Sequence, residues 1–357
     1  MKQPENTQPL ITTVIPTYQR PQLLRRAILS VLNQTYPHIK VCVYDNASED
    51  NTKAVVDELA KQDPRVHYHC RPNNIGGFNN INLGMKQVNT PYFSLLADDD
   101  ILLPDFYEKA MAGLTQHPEA MFSAMQTIIV EDKKVKGVTF GDYEEKLYSP
   151  PEGLIKAADG GTNSWTGSVY KTKAFELIGL DEILIAGPAE QDFLLRFTAI
   201  FPYVVSRTPG AIFVVHGGAE SSSRREVDVM DGYMWMIDKI KNNRNISSDN
   251  VKIVCQKINK IIVDSLWPGG WIDIKKRNFL RARRIALSLK NNFGENYKSY
   301  VLSLAAQLCE HSRFFYYLYI RLNQMRKLLQ FGRISRERRL QAKYGYYLKY
   351  LDKYSET

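Results

Sequence analysis

The residues with the plainest chemical potential are Asp98, Asp99 and Asp100, which directly follow the apolar run Phe93–Ala97. Three adjacent carboxylates repel one another unless a cation sits among them. The run before them holds at least one near a low-dielectric interior, where that repulsion is strongest. Along an extended chain Asp98 and Asp100 project to the same side. Hard divalent cations take oxygen ligands and are often held by one or two carboxylates plus substrate phosphates, so the triplet reads as a seat for Mg2+ or Mn2+ beside a phosphorylated ligand. Alone, it would equally suit a solvated loop or the start of a helix, where Asp is common.

A second acidic group lies in Ala189-Glu190-Gln191-Asp192-Phe193-Leu194-Leu195-Arg196. Phe193–Leu195 would anchor a helix and fix the carboxylates of its first turn, which the helix dipole favours. A carboxylate so fixed can take a proton from a hydroxyl group. A third stretch runs from Val215 through His216, Gly217 and Gly218 to Ser221, Ser222, Ser223, Arg224 and Arg225. A lone His is more often structural than a ligand, but Gly-Gly followed by Ser and Arg donors is the composition of a loop that closes over an anion.

Such residues need elements to position them. Short β-branched runs alternate with helical patterns from Leu10 to about Val130. Strands are expected at Leu10–Ile15, Val41–Tyr44, Val66–Cys70 and Tyr92–Ala97. Helices are expected from Pro21, from a cap at Ser48 or Asp50, up to about Gln87, and from Pro104 to near His117. Such β–loop–α units imply a parallel sheet with helices on its faces, and ligands bind at the carboxyl ends of its strands. Pro16, Asp45, Arg71 and Asp98–Asp100 all fall at those ends. Further on, Gly167–Tyr170 and Ala211–Val215 read as strands, Lys173–Ile178 and Glu190–Ala199 as helices, and residues 131–165 as loops and short strands. Beyond about Val229 the chain reads as helical almost to its end, broken once at Trp267-Pro-Gly-Gly-Trp271.

In chain order and spacing, six segments resemble the family 2 glycosyltransferases of the GT-A fold. They are Val14–Arg20 (VIPTYQR), Ser30–Tyr36 (SVLNQTY), Val43–Asp50 (VYDNASED), Asn74–Gly76 (NIG), Asn82–Gly84 (NLG) and Leu96–Asp100 (LADDD), and the resemblance extends over roughly Leu10–Ser223. It implies an α/β GT-A catalytic domain, with a Rossmann-like mixed sheet, over residues 10–228. A polar tail (residues 1–9) would precede it and a basic helical extension (229–357) would follow. Pro16, Thr17, Tyr18, Asp45, Arg71 and Asn74 would hold the nucleotide. Asp98, and with less support Asp99, would contact the donor, and Asp100 with His216 the metal. Ser223 and Arg224 would close on the diphosphate. Trp165, Glu190 and Gln191 would line the acceptor side. The family's base is the Asp of a Glu-Asp pair; here that pair is Gln191-Asp192, which points to Asp192, with an alternative register using Glu190. The resemblance further implies inversion at the sugar, a UDP-sugar donor, and a glycan or lipid-linked acceptor.

Composition sets the remaining bounds. The 357 residues can bury one large core and an appendage, and Cys42, Cys70, Cys255 and Cys309 have no metal-ligand or disulfide spacing, which suits a reducing compartment. Neither a signal peptide nor an apolar run of about 18 residues is visible, so a cytoplasmic protein is expected, peripheral to a membrane at most. Residues 271–357 hold 19 Lys and Arg against 6 Asp and Glu, whereas the other 270 residues carry a net charge of −4. With Phe314-Phe-Tyr-Tyr317 among them, those basic clusters suit an anionic membrane surface, a packed appendage or a homodimer contact. No nucleic-acid motif accompanies them. A nucleotidyltransferase would want a Gly-rich loop where Pro16–Arg20 stands, and Gln191 keeps open a binding-only partner subunit.

Overall fold

The computed structural model describes residues 9–160, 165–179, 189–216, 226–328 and 331–354, with the side chains of 226–231 and 325–334 left aside. Its centre is a ten-stranded mixed sheet. In chain order the strands are β1 (Ile11–Thr17), β2 (Ile39–Asp45), β3 (Val66–Cys70), β4 (Tyr92–Leu95), β5 (Ile101–Leu102), β6 (Phe122–Glu131), β7 (Lys134–Val138), β8 (Lys146–Tyr148), β9 (Ser168–Lys171) and β10 (Tyr203–Val215). The order across the sheet is β3-β2-β1-β4-β9-β6-β10-β5, with β7 added to β6 and β8 to β10.

The first four strands are parallel, as the β–loop–α pattern requires. β1 and β2 are buried on both faces, which is why they read as nearly continuous apolar or β-branched runs. The helix Pro21–Leu32 lays Leu24, Ala27, Ile28 and Val31 on one face of the sheet at the spacing of a helical stripe. The register sets Thr17 beside Asp45, Asp45 beside Cys70, and Val14 beside Leu95. The ends of four strands therefore meet along one edge.

The sheet is mixed because β9 runs antiparallel between β4 and β6. β6, a ten-residue strand without its own signal in the expected elements, pairs in parallel with β10. β10 starts eight residues before the expected Ala211 and shifts register around Pro209, which lacks a ladder N–H. Its far end pairs with β5, directly after the aspartates.

Two helical expectations differ from the structure. Neither Ser48 nor Asp50 is the cap of the helix Thr52–Gln62: Asn51 is, while Ser48 is engaged by Asp45 and Asp50 accepts from the Thr52 N–H. The expected break at Trp267–Trp271 is absent, and one helix runs from Ser248 to Lys275 through Pro268. Packing outweighs the lost hydrogen bond there. Trp267 and Trp271 meet edge to face, and Gly270 faces Leu302 so closely that a Cβ would lie 2.3 Å from it.

The C-terminal helices share the core of the sheet. One cluster of buried side chains runs from Phe122, Tyr170 and Phe193 to Val254, Ile258, Ile285 and Leu302. Tyr344, Leu351 and Tyr354 return to pack on Ile101, Ile128, Val130 and Ile212, and Tyr344 donates its hydroxyl to buried Gln126. Gly167, at φ +91°, turns the chain into β9, and a Cβ there would lie 2.4 Å from Thr127 Oγ1. Gly167→Ala is expected to cost roughly 1–3 kcal/mol of unfolding free energy in urea titrations, from the positive φ and the contact together.

Candidate active site

The aspartates occupy the tight turn between β4 and β5, and all three are buried. Asp98 accepts from Thr17 Oγ1 at 2.8 Å and from Arg20 Nη1 at 3.2 Å. Asp99 accepts from Arg20 Nη1 at 3.0 Å, and its Oδ2 lies 2.9 Å from His216 Nε2. Arg26 donates to the Asp99 carbonyl at 2.5 Å. Asp100, with 0% exposure, accepts from Thr166 Oγ1 at 2.6 Å and from the Val214 N–H at 2.9 Å. β1, the turn before β9 and the end of β10 thus each send a donor to one triplet.

The electrostatics follow from burial. Desolvation, with Asp99 alongside, pushes the Asp98 carboxyl up to about 6 against the opposing pull of Thr17 and Arg20. Desolvation raises Asp100 well above the ordinary carboxylate value, Asp99 adds to it, and the Thr166 and Val214 bonds oppose it. Burial lowers Arg26, and the charges of Asp100 and Asp99 resist that shift. Concentrated negative charge with only partial local compensation is a setting for a cation or a cationic side chain.

Asp100, the residue expected at the metal, accepts one bond on each oxygen, from Thr166 and from the Val214 N–H, and by lone-pair count each oxygen can take one more partner. Asp99 Oδ2 and His216 Nε2 lie 2.9 Å apart beside it. Among the described residues, no group of three or more His, Cys, Asp and Glu side chains converges. The donor set fits a cation that takes its other ligands from a bound diphosphate, and not a closed protein cage. Arg20 bridges Asp98 and Asp99, beside the position such a cation would share.

At the neighbouring strand ends, buried Asp45 accepts from the Ser48 N–H (3.0 Å) and Oγ (2.5 Å) on Oδ1, and from Tyr68 OH (2.5 Å) on Oδ2. By lone-pair count, Oδ2 can accept one more donor. Gln19 bonds Ser48 through its N–H and its amide, tying the loop after β1 to the loop after β2. Gln19, Ala47 and Glu49 all hold positive φ, a strained choice for non-glycine residues that clusters here. Pro16 and Thr17 lie in β1, and Tyr18 just beyond it exposes its ring. Arg71 donates to Asn80 and lies over the Tyr44 ring, and its Nη2 is buried without a partner. Asn74 accepts from Asn46 and from the Gly76 N–H, which sets the loop before the helix Gly77–Lys86.

The second acidic group divides by burial. Asp192, 1% exposed, is held by Arg196 Nε at 2.7 Å, and Arg196 also binds the Ile178 and Gly179 carbonyls. Burial raises the Asp192 carboxyl, with Arg196 opposing. Glu190, half-buried in the first turn of the helix Ala189–Thr198, accepts from the Trp165 N–H at 2.9 Å. Trp165 adjoins Thr166, the partner of Asp100, so Glu190 and not Asp192 is linked to the triplet. Gln191 lies half-buried between them, and Trp165 stacks on Phe193 with ring centroids 4.9 Å apart. Ser223 and Arg224 lie outside the described residues.

Residue typing missed Arg20, Arg26 and Thr166, because nothing local to them points to carboxylates more than sixty positions away. For Asp192 a signal existed: Arg196 stands four residues on, the spacing of a helical ion pair.

The mixed sheet of this order, with carboxylates and a histidine gathered at its strand ends, has the GT-A fold. Residues 12–179, just under half of the chain, match the model of Glycosyl transferase family 2. It is 38% identical over 96 residues to the GalNAc(5)-diNAcBac-PP-undecaprenol beta-1,3-glucosyltransferase of Campylobacter jejuni, a match covering 27% of this chain and 31% of that protein. The chain spans less than half the length of the curated relatives it matches first. Among solved structures, TarS 1-349 of S. aureus in complex with UDP-GlcNAc superposes with a TM-score of 0.65 at 16% identity, covering 85% of this chain and 91% of that one. The mannosyltransferase PcManGT of Pyrobaculum calidifontis, in complex with GDP-Man and Mn2+, gives 0.50 at 12% identity, covering 90% and 91%. At these identities the structural likeness is one of fold.

The raised Asp98 value carries a sign. Between about pH 4 and about pH 6 the folded chain keeps a proton that the unfolded chain has lost, so this contribution to stability is present at low pH and lost as pH rises through about 6. Asp98→Asn removes the buried charge. Its unfolding free energy relative to wild type should therefore rise by roughly 2–3 kcal/mol from about pH 4 to about pH 7 in metal-free buffer, as read by urea titration.

Proposed function

We propose that the chain is an inverting glycosyltransferase that moves a sugar from a UDP-sugar to a hydroxyl group of a glycan or lipid-linked acceptor in surface polysaccharide or glycolipid synthesis. The observation that carries this reading is the meeting of Asp98, Asp99, Arg20 and His216 at the strand ends of the domain. The acceptor class is favoured by the Campylobacter jejuni relative, whose name gives an undecaprenol-linked acceptor. UDP is favoured by the nucleotide sugar bound to TarS.

Tyr18 stacks on the base, and the spare lone pair of Asp45 takes a donor from the base or ribose. Arg71 and Asn74 border the same pocket, and Asp98 faces the ribose side. Asp99 and His216 would hold a divalent cation together with the diphosphate, and that cation would supply neutralisation of the charge on the departing group. Arg20 turns from the carboxylates to a phosphate oxygen, a charge-assisted bond suited to guanidinium. The structure describes no position for Ser223 and Arg224, so no step is assigned to them.

Glu190 is the base in this reading. It lies at a helix N-terminus, is half-buried, and is oriented by the Trp165 N–H. It takes the proton from the acceptor oxygen as that oxygen attacks C1 opposite the leaving diphosphate, so one displacement inverts the centre. Asp192 fixes the helix through Arg196 and does not meet the acceptor.

Glu190→Gln should lower UDP release from a UDP-sugar panel by about 10²–10⁴-fold while UDP binding by calorimetry stays within about twofold. Asp192→Asn should instead destabilise the fold by about 3 kcal/mol, because it leaves the Arg196 charge buried without its partner. A folded Asp192→Asn protein that is inactive, beside an active Glu190→Gln, would return the base to Asp192. For the ligand class, thermal-shift measurements with nucleoside diphosphates should give stabilisation by UDP that grows when Mn2+ is added. No shift with any diphosphate would overturn the donor reading.

A further inference from the structure

From His311 to Arg336 the chain contains no Asp or Glu and six Arg or Lys. The first part of this stretch is the helix Arg313–Leu328. Its inner side is fixed: Tyr316 donates to the Lys275 carbonyl at 2.9 Å, Tyr319 donates to the Trp271 carbonyl at 2.8 Å, and the Tyr319 ring stacks on Trp271. Its outer side is the unusual one. Phe314, Tyr317, Leu318 and Leu322 recur at helical spacing, with Phe314 70%, Tyr317 59% and Leu322 57% exposed. Arg313 and Arg321 are exposed beside them.

A helix at the surface of a soluble protein buries its apolar stripe and turns charge to water. This helix half-buries two tyrosines and turns Phe314, Leu318 and Leu322 outward. The preceding helix Asn296–His311 does likewise with Tyr297, Tyr300, Leu304 and Leu308. Of the 20 exposed large hydrophobics among the described residues, 13 lie from Ile272 onward, so the pattern is local to the basic region. A second copy is a poor occupant, because an isologous contact through this stripe would bring Arg313 and Arg321 of one copy towards those of the other, from a stretch that holds no acid. An anionic bilayer supplies what this surface lacks: acyl chains for the apolar stripe and phosphates for the arginines. Among the described residues no helix is long and apolar enough to cross a membrane.

We propose that Arg313–Leu328 is an interfacial helix that lays Phe314, Tyr317, Leu318 and Leu322 into the surface of an anionic bilayer, with Arg313 and Arg321 on lipid phosphates. The test uses the full chain and reads binding without any assay of transfer, so it stands or falls apart from the transferase reading. In co-sedimentation, the protein should bind vesicles containing phosphatidylglycerol and bind pure phosphatidylcholine more than about tenfold more weakly, with high salt reducing the difference. The triple variant Phe314→Ser, Leu318→Ser, Leu322→Ser should lose more than about tenfold in partitioning. The double variant Arg313→Glu, Arg321→Glu should lose as much while leaving the apolar stripe intact. Both should keep the parent's far-ultraviolet circular dichroism, since none of these side chains faces inward. The proposal is overturned if the intact chain stays in solution with anionic vesicles, or if the folded triple variant partitions like the parent. It is overturned equally if the triple substitution instead dissociates a dimer seen by analytical ultracentrifugation.

Discussion

Three neighbouring carboxylates are held out of water in one turn, and most of the site's architecture answers that single electrostatic cost. Thr17 comes from the end of β1, Arg20 from the loop after it and Arg26 from the following helix. Thr166 comes from the turn before β9, and Val214 N–H and His216 from the end of β10. No stretch of sequence could supply all of these locally. The mixed sheet does so by placing β10 against β5, directly after the triplet, and by lodging β9 between β4 and β6. Asp100 accepts one bond on each oxygen, from Thr166 and from the Val214 N–H. Asp98 and Asp99 keep the partners that a charged ligand could replace.

The two carboxylates of the second acidic group sit in different surroundings. A buried carboxylate with a guanidinium partner is costly to disturb and poorly placed to exchange protons with a ligand. Glu190 stands two residues away on the same helix. It accepts from the Trp165 N–H, and the next residue, Thr166, donates to Asp100.

Much of this was legible in the residues themselves. The first four strands and their helices were, because parallel strands buried on both faces leave continuous apolar runs and their covering helices leave stripes. The convergence of Asp45, Arg71 and Asp98–Asp100 followed from topology alone. β6 escaped, since an apolar run between a helix and a turn-rich region has no partner visible in sequence. The bond from the Trp165 N–H to Glu190 spans 25 positions and leaves no local trace. Asp100 could not be told from Asp99 until β10 was seen to deliver Val214 N–H to one and His216 to the other. Pro268 misled because its local cost is plain in sequence, while the close approach of Gly270 to Leu302 exists only in three dimensions.

The antiparallel strand β9 bears on how the molecule is assembled. β4 and β6 do not pair with each other; each finds its partner in residues 168–171. During synthesis, the β3-β2-β1-β4 block can form early, but its β4 border stays unpaired until a segment some seventy residues further on has emerged. Across that seam the contacts are long-range, which slows closure and leaves a sticky border exposed meanwhile. A nascent chain paused before β9 would be the form most in need of a chaperone.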